Sequence, residues 1–214
     1  MPQTPDSPPS PPPERPPGLT GEAFLIVALV FEGGLGVVAI LVGWLLGFPL
    51  GEHLHLSLTD AGWGIAAAGP MLLLAGACIK WPIGPLAEIT EVLDRIAAPL
   101  FRRRGIHHLA AVSLLAGLGE ELLFRGLIQG GVALWIGGES GLWIGLAVGS
   151  ILFGVTHAIT PTYAVLAGLI GLYLGGLWLW TGNLLAPIVT HALYDFVLLV
   201  YLARFRAPDR KAAG

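Results

Sequence analysis

Six stretches of this chain are apolar for long enough to cross a lipid bilayer, and that leaves few folds open. They run over residues 22–47, 61–80, 107–135, 141–159, 163–180 and 184–203, each near the ~20 residues a helix needs to span the hydrocarbon core. None alternates with the period of two expected of a barrel strand. Inside lipid, a helix then remains as the way to satisfy every backbone N–H and C=O within the segment. The expected fold is all-α: a polytopic transmembrane helix bundle of about six spans. Composition agrees, with 55% hydrophobic and only 12% charged residues, against roughly a quarter charged in a soluble domain. A net charge of −3 suggests no nucleic-acid partner. The single cysteine, Cys78, excludes an intrachain disulfide.

The flanks differ in kind from the spans. Residues 1–20 contain nine prolines and almost no aliphatic side chains, so this stretch cannot bury a core and is expected to be a disordered tail. It lacks the basic start of a cleaved signal peptide, and the apolar run after it reads as a retained membrane segment. The transmembrane domain is expected over 21–203, followed by a basic cytoplasmic tail at 204–214.

Of eleven Lys and Arg, five lie between spans two and three or at their edge (Lys80, Arg95, Arg102, Arg103 and Arg104) and four follow span six (Arg204, Arg206, Arg210 and Lys211). Arg15 lies in the tail and Arg125 alone falls inside a span. The positive-inside rule then places both termini in the cytoplasm and suits a prokaryotic plasma membrane. Between Trp81 and Gly105, Leu86, Ile89, Val92, Leu93 and Ile96 recur at helical spacing with charges between them. This predicts an amphipathic helix on the inner surface, with Arg102–Arg104 meeting anionic membrane lipids. Gly141, Gly145 and Gly149, then Gly171 and Gly175, repeat every four residues, a spacing that lets helix backbones approach closely.

An ionisable side chain within a span costs several kcal/mol and needs a reason to be there. Glu32 stands alone in span one and is assigned no role. The other six fall in three clusters: Glu120-Glu121…Arg125 in span three, Phe153…His157 in span four, and His191…Asp195 in span six. Glu121 and Arg125, four apart, share a helix face suited to an ion pair. Glu120, rotated about 100° from Glu121, is left as a free carboxylate suited to act as a general base for water. Phe153 and His157 share one face, and His191 and Asp195 either hydrogen-bond each other or converge on a substrate carbonyl. Counting about 1.5 Å per residue puts Glu120 at mid-membrane, His157 near the inner end of its span and His191 toward the outer end of its own. Convergence requires tilted or bent helices, and Pro187, one turn before His191, permits a bend.

The ordered set EExxxR, FxxxH and a polar HxxxD resembles the CPBP (Abi) family of intramembrane proteases, related to the type II CAAX prenyl endopeptidase. The resemblance covers about 107–203, the motif-bearing core. It implies that Glu120 and His157 deprotonate an attacking water, that His191 and Asp195 stabilise the oxyanion, and that Glu121 and Arg125 hold the motif helix. Asp195 departs from the Asn of the eukaryotic relatives, and a carboxylate donates to an oxyanion only when protonated. Asp195 otherwise orients His191. The resemblance also implies a membrane-associated peptide or protein substrate, by analogy a prenylated one.

Zinc held by Glu120, His157 and His191 is chemically admissible, but no HExxH helix is present, and a metal-independent glutamate mechanism is the favoured expectation. Two other classes compete: a non-catalytic bacteriocin immunity-type membrane protein, and a proton-coupled transporter. No inverted repeat supports the second. Intact Glu120, His157 and His191 argue against a degenerate enzyme.

Overall fold

The computed structural model describes residues 21–102 and 104–206. The expected disordered tail at 1–20, Arg103, and the end of the basic tail at 207–214 lie outside the described residues. Among the described residues every regular element is helical. In chain order these are α1 (Gly21–Leu45), a short 3₁₀ turn (Leu50–His53), α2 (Leu58–Lys80), α3 (Pro85–Val92), α4 (Ala98–Phe101), α5 (Ile106–Glu121), α6 (Gly130–Ile136), α7 (Gly138–Thr156), α8 (Pro161–Thr181) and α9 (Leu185–Arg204). Five of them, α1, α2, α7, α8 and α9, are long and apolar enough to cross a membrane. The chain is a polytopic membrane protein.

The remaining expected span is present in a different form. From Ile106 to Ile136 the chain is helical without a break, but a π-helical segment, Leu122–Gln129, separates α5 from α6. Glu120, Glu121 and Arg125 sit in the middle of this run, which lowers its hydropathy without shortening it. π-Turns inside α-helices frequently mark functional sites, because they redirect side chains that a regular helix would stack.

Helix ends follow local chemistry. Ser57 caps α2, its Oγ accepting from Asp60 N–H at 3.2 Å. Thr160 caps α8 in the same way, accepting from Tyr163 N–H at 3.1 Å, with Pro161 in the first turn. Gly182, at φ +68°, ends α8 in the left-handed region. The segment expected to lie on the inner surface is helical from Pro85 to Phe101, α3 joining α4 through a second π segment, Leu93–Ala97. It is more than a surface helix: Ile89, Thr90, Ala98 and Phe101 are buried.

The glycine stripes are packing faces. A Cβ on Gly141 would lie 2.5 Å from the Ala133 carbonyl oxygen, and one on Gly145 would overlap the Gln129 carbonyl. On α8, a Cβ at Gly175 would lie 2.5 Å from the Gln129 side-chain oxygen. The half of the motif helix beyond the carboxylates is thereby clasped between α7 and α8. Gly145→Leu is expected to lower stability in detergent by about 1–3 kcal/mol or more. Gly176→Leu, at a position with nothing within 4 Å, should leave thermal unfolding nearly unchanged.

A second set of glycines brackets the carboxylates. Gly117 faces α9, where a Cβ would lie 2.8 Å from Ala192 N, and Gly119 faces α1, where a Cβ would overlap the Glu32 carbonyl. Two helices therefore close on α5 one turn or less before Glu120. On α9's other side, Thr190 Oγ1 donates to the Gly64 carbonyl of α2 at 2.9 Å.

Candidate active site

Glu120 and Glu121 are the last residues of α5, where the helix widens into the π segment. Their side chains go separate ways. Glu121 is fully buried and its two oxygens are divided: Oε2 lies 3.2 Å from Arg125 Nε, and Oε1 lies 2.8 Å from His191 Nδ1. The expected ion pair is thus one half of a chain that also fixes His191. A carboxylate can only accept, so Nδ1 of His191 carries the proton in that contact.

Arg125, only 1% exposed, also donates from Nη2 to the Gly171 carbonyl at 3.3 Å. Its guanidinium lies over the Phe153 ring, 4.4 Å from the centroid, a cation–π arrangement that needs no water. One turn on, Gln129 Nε2 donates to the Gly175 carbonyl at 3.2 Å. Side chains four apart on the motif helix thus reach carbonyls four apart on α8.

Glu120 faces the other way. Its Oε2 lies 3.7 Å from Nε2 of His157 and has no hydrogen-bond partner among the described residues. His157 is the residue that ends α7, and its Nδ1 lies 2.8 Å from the Phe153 carbonyl. Because a carbonyl only accepts, Nδ1 is again a protonated nitrogen, and in the neutral form of the ring the lone pair of Nε2 faces Glu120. The FxxxH spacing gains a structural reason: the backbone of Phe153 sets the tautomer of His157. Its ring packs 4.4 Å from His157 and 6.0 Å from His191, centroid to centroid.

Asp195 Oδ2 stands 3.6 Å from Nε2 of His191, close enough for charge interaction but beyond a direct hydrogen bond. Glu120, His157, His191 and Asp195 line one cavity of about 150 Å³. Straight-helix counting had set the two histidines at different depths. Phe153 lies about fifteen residues into α7 and His191 about six into α9, yet their rings meet, so α9 begins deeper in the bundle than α7. The buried turn before α9 agrees: Asn183 Nδ2 donates to Asp60 Oδ2 at 2.8 Å and to the His55 carbonyl at 2.9 Å. The cavity's apolar walls come from α2, α8 and α9, with Ile89 of α3 and Leu93 beside it closing the inner side.

Three polar residues near this site were given no role in the sequence reading. Tyr163 of α8 and Tyr194 of α9 line the cavity. Glu32 of α1 has its Oε2 buried, and its backbone carbonyl lies against Gly119, the residue before Glu120. A usable signal was present for Glu32: Gly33, Gly34 and Gly36 follow it, and such a run marks a close helix crossing rather than a lipid-facing surface.

A zinc ion would need Glu120, His157 and His191 to converge. Such an ion would take Nε2 of both histidines, because Nδ1 of His191 is bonded to Glu121 and Nδ1 of His157 to the Phe153 carbonyl.

Residues 103–197 match the family model described as type II CAAX prenyl endopeptidase Rce1-like. The chain is also similar to "Uncharacterized protein YpbD" of Bacillus subtilis (strain 168), 28% identical over 138 residues, or 63% of this chain. The match spans 65% of that relative, just under two thirds of its length. No solved structure matches. The matched stretch contains α5, α7 and most of α9, and with them all three motifs. Residues 103–197 are thus similar to the Rce1-like type II CAAX prenyl endopeptidase family, a likeness that supports a protease at the level of the family.

Proposed function

We propose that this chain is an intramembrane endopeptidase that hydrolyses peptide bonds of membrane-associated substrates with a water activated by Glu120 and His157. The observation that carries the reading is the gap between them. Two acceptors, Glu120 Oε2 and His157 Nε2, face each other across 3.7 Å at a cavity wall, with Oε2 unpartnered. Two facing lone pairs favour a donor between them, and a water lying to one side of the line joining them gives one proton to each. That leaves the water's own lone pairs turned away from both, toward a substrate carbonyl. As the water attacks, Glu120 takes the proton and later delivers it to the leaving amine.

His191 then stabilises the oxyanion. Glu121 accepts from its Nδ1–H, and as an imidazolium flanked by Glu121 and Asp195 the ring also presents an Nε2–H beside Asp195 and toward the cavity. Asp195 orients that ring, as an aspartate can without donating. Glu121 and Arg125 are positioning groups that keep the motif helix and His191 in register. The family likeness supports a membrane-associated protein as substrate. A prenylated C-terminus extends that analogy, and the apolar walls of the cavity suit a lipid-modified or apolar segment. The basic loops favour cytoplasmic termini in a prokaryotic plasma membrane.

Mapping peptide termini in membranes from cells expressing wild type or Glu120→Gln tests the reading. Termini that require Glu120 would establish proteolysis and identify a substrate. Identical maps from equally abundant, folded proteins would overturn it in favour of an immunity or transport role. Hydrolysis is also expected to survive exhaustive treatment with a zinc chelator. A loss of activity that added zinc restores would overturn the metal-independent mechanism.

A further inference from the structure

We propose that an apolar chain of the membrane-associated substrate reaches Glu120 through the seam between α3 and α8, with α3 acting as a strap that the chain parts from α8. The inference rests on the reading of the cavity as a peptidase site. It adds a route and a subsite that none of the three motifs encodes.

The argument starts from what stands on each side of the seam. α3 packs against both α2 and α8. Away from the catalytic cavity, an almost wholly apolar groove is lined by Leu86 and Ile89 of α3 and by Thr162, Val165, Leu166 and Leu169 of α8. Ile89 and Leu166 also line the cavity that holds Glu120, His157, His191 and Asp195. These two side chains therefore form the partition between groove and cavity. Val165 and Leu169 are exposed on α8, a helix long and apolar enough to cross a membrane, so the groove opens toward lipid. An apolar chain lying in it would have its peptide end directed at Glu120.

The strap is held unequally along its length. Among the described residues one hydrogen bond crosses the seam: Thr162 Oγ1 donates to Glu88 Oε2 at 3.2 Å, in an exposed position. Such a bond exchanges readily for water and contributes little net. Beneath it Ile89 is buried, and its apolar contacts are ones an apolar substrate chain can replace. Beyond α3 the hold is firmer: Arg206 Nη2 donates to Asp94 Oδ2 at 3.0 Å, and Ala98 and Phe101 of α4 are buried. Before α3 runs an exposed connection, Trp81 to Gly84, which ends at φ +53°, a conformation that favours glycine. With one fixed end and one loose end, α3 can swing about the π segment Leu93–Ala97, since helices bend at π turns.

Two measurements on the full-length protein in lipid vesicles test this. Cys78 of α2 is buried and lines the cavity, so it reports opening without any catalysis. An apolar maleimide dissolved in the bilayer should alkylate it about three- to tenfold faster in Thr162→Val than in wild type, as a shifted open population requires. Thr162→Ser, which keeps the donor, should react at the wild-type rate. Equal rates in all three overturn the latch. In a Cys78→Ala background, Glu88→Cys and Thr162→Cys are then joined by a short, reducible bis-thiosulfonate linker. Hydrolysis of a lipid-anchored peptide should fall about tenfold or more and return on reduction. A bridged enzyme as active as its reduced form overturns entry at this seam and leaves the groove to bilayer lipid. If wild type shows no Glu120-dependent hydrolysis, the proposed function falls and Cys78 alkylation alone decides the strap.

Discussion

Glu120→Gln should lower kcat by about a thousandfold, within the range general bases contribute, and a second substitution, His157→Asn, should cost less than tenfold more. The reason is that the two residues hold one water between them. Glu120 Oε2 and His157 Nε2 face each other at 3.7 Å, and Oε2 has no other partner. Removing either acceptor releases the same molecule, so groups acting as a unit lose their effect together. Glutamine keeps the shape of the side chain and the fit of α5 against α1 and α9, so yield and thermal unfolding should stay close to wild type. The check is kcat and KM for wild type, both single variants and the double variant on one membrane-presented peptide. Losses that multiply in the double variant would mean that Glu120 and His157 serve different steps.

Much of this arrangement was legible in the chain, for identifiable reasons. Lipid imposes so strong a requirement on backbone hydrogen bonds that uninterrupted apolar length already implies a helix. Within such helices every ionisable residue is conspicuous, which is why Glu120, Glu121, Arg125, His157, His191 and Asp195 could be named in advance. The stripe Gly141, Gly145 and Gly149 likewise announced a packing face, and the Ala133 and Gln129 carbonyls occupy it.

What was hidden depends on contacts between distant segments or on departures from regular winding. Glu32 looked isolated because the residue its backbone packs against, Gly119 beside Glu120, lies 87 residues away. His191 was expected either to hydrogen-bond Asp195 on its own helix or to converge with it on a substrate carbonyl, and its bond to another helix was not foreseen. Its Nδ1 bonds to Glu121, 70 residues away, at 2.8 Å, because Gly117 lets α9 approach α5 closely. The π segment Leu122–Gln129 has no sequence marker comparable to proline, and counting 3.6 residues per turn passes over it. The burial of Ile89 beneath an amphipathic surface pattern depends on where the ends of α2 and α8 leave room, which a single helix's periodicity does not record.

Arg125→Met is expected to be the most damaging substitution to the fold, at about 3–5 kcal/mol, the usual cost of leaving one member of a buried ion pair uncompensated. Methionine fills the space over Phe153 but supplies no charge. Glu121, with no exposed side-chain surface, would keep His191 as its remaining partner, and the Gly171 carbonyl would lose its donor. The damage would pass to the site, because a Glu121 carboxylate without its guanidinium no longer fixes the His191 ring. Adding Glu121→Gln to Arg125→Met should recover at least half of the lost stability. The amide oxygen still accepts from His191 Nδ1–H, and no unpaired charge remains in the bundle. Activity should not return with it, since a neutral amide holds the imidazole more weakly than a carboxylate does. Thermal unfolding of the two single variants and the double variant in detergent, set beside their hydrolysis rates, checks both halves. A double variant as unstable as Arg125→Met would place the arginine's contribution in its contacts with Phe153 and Gly171 instead of in charge compensation.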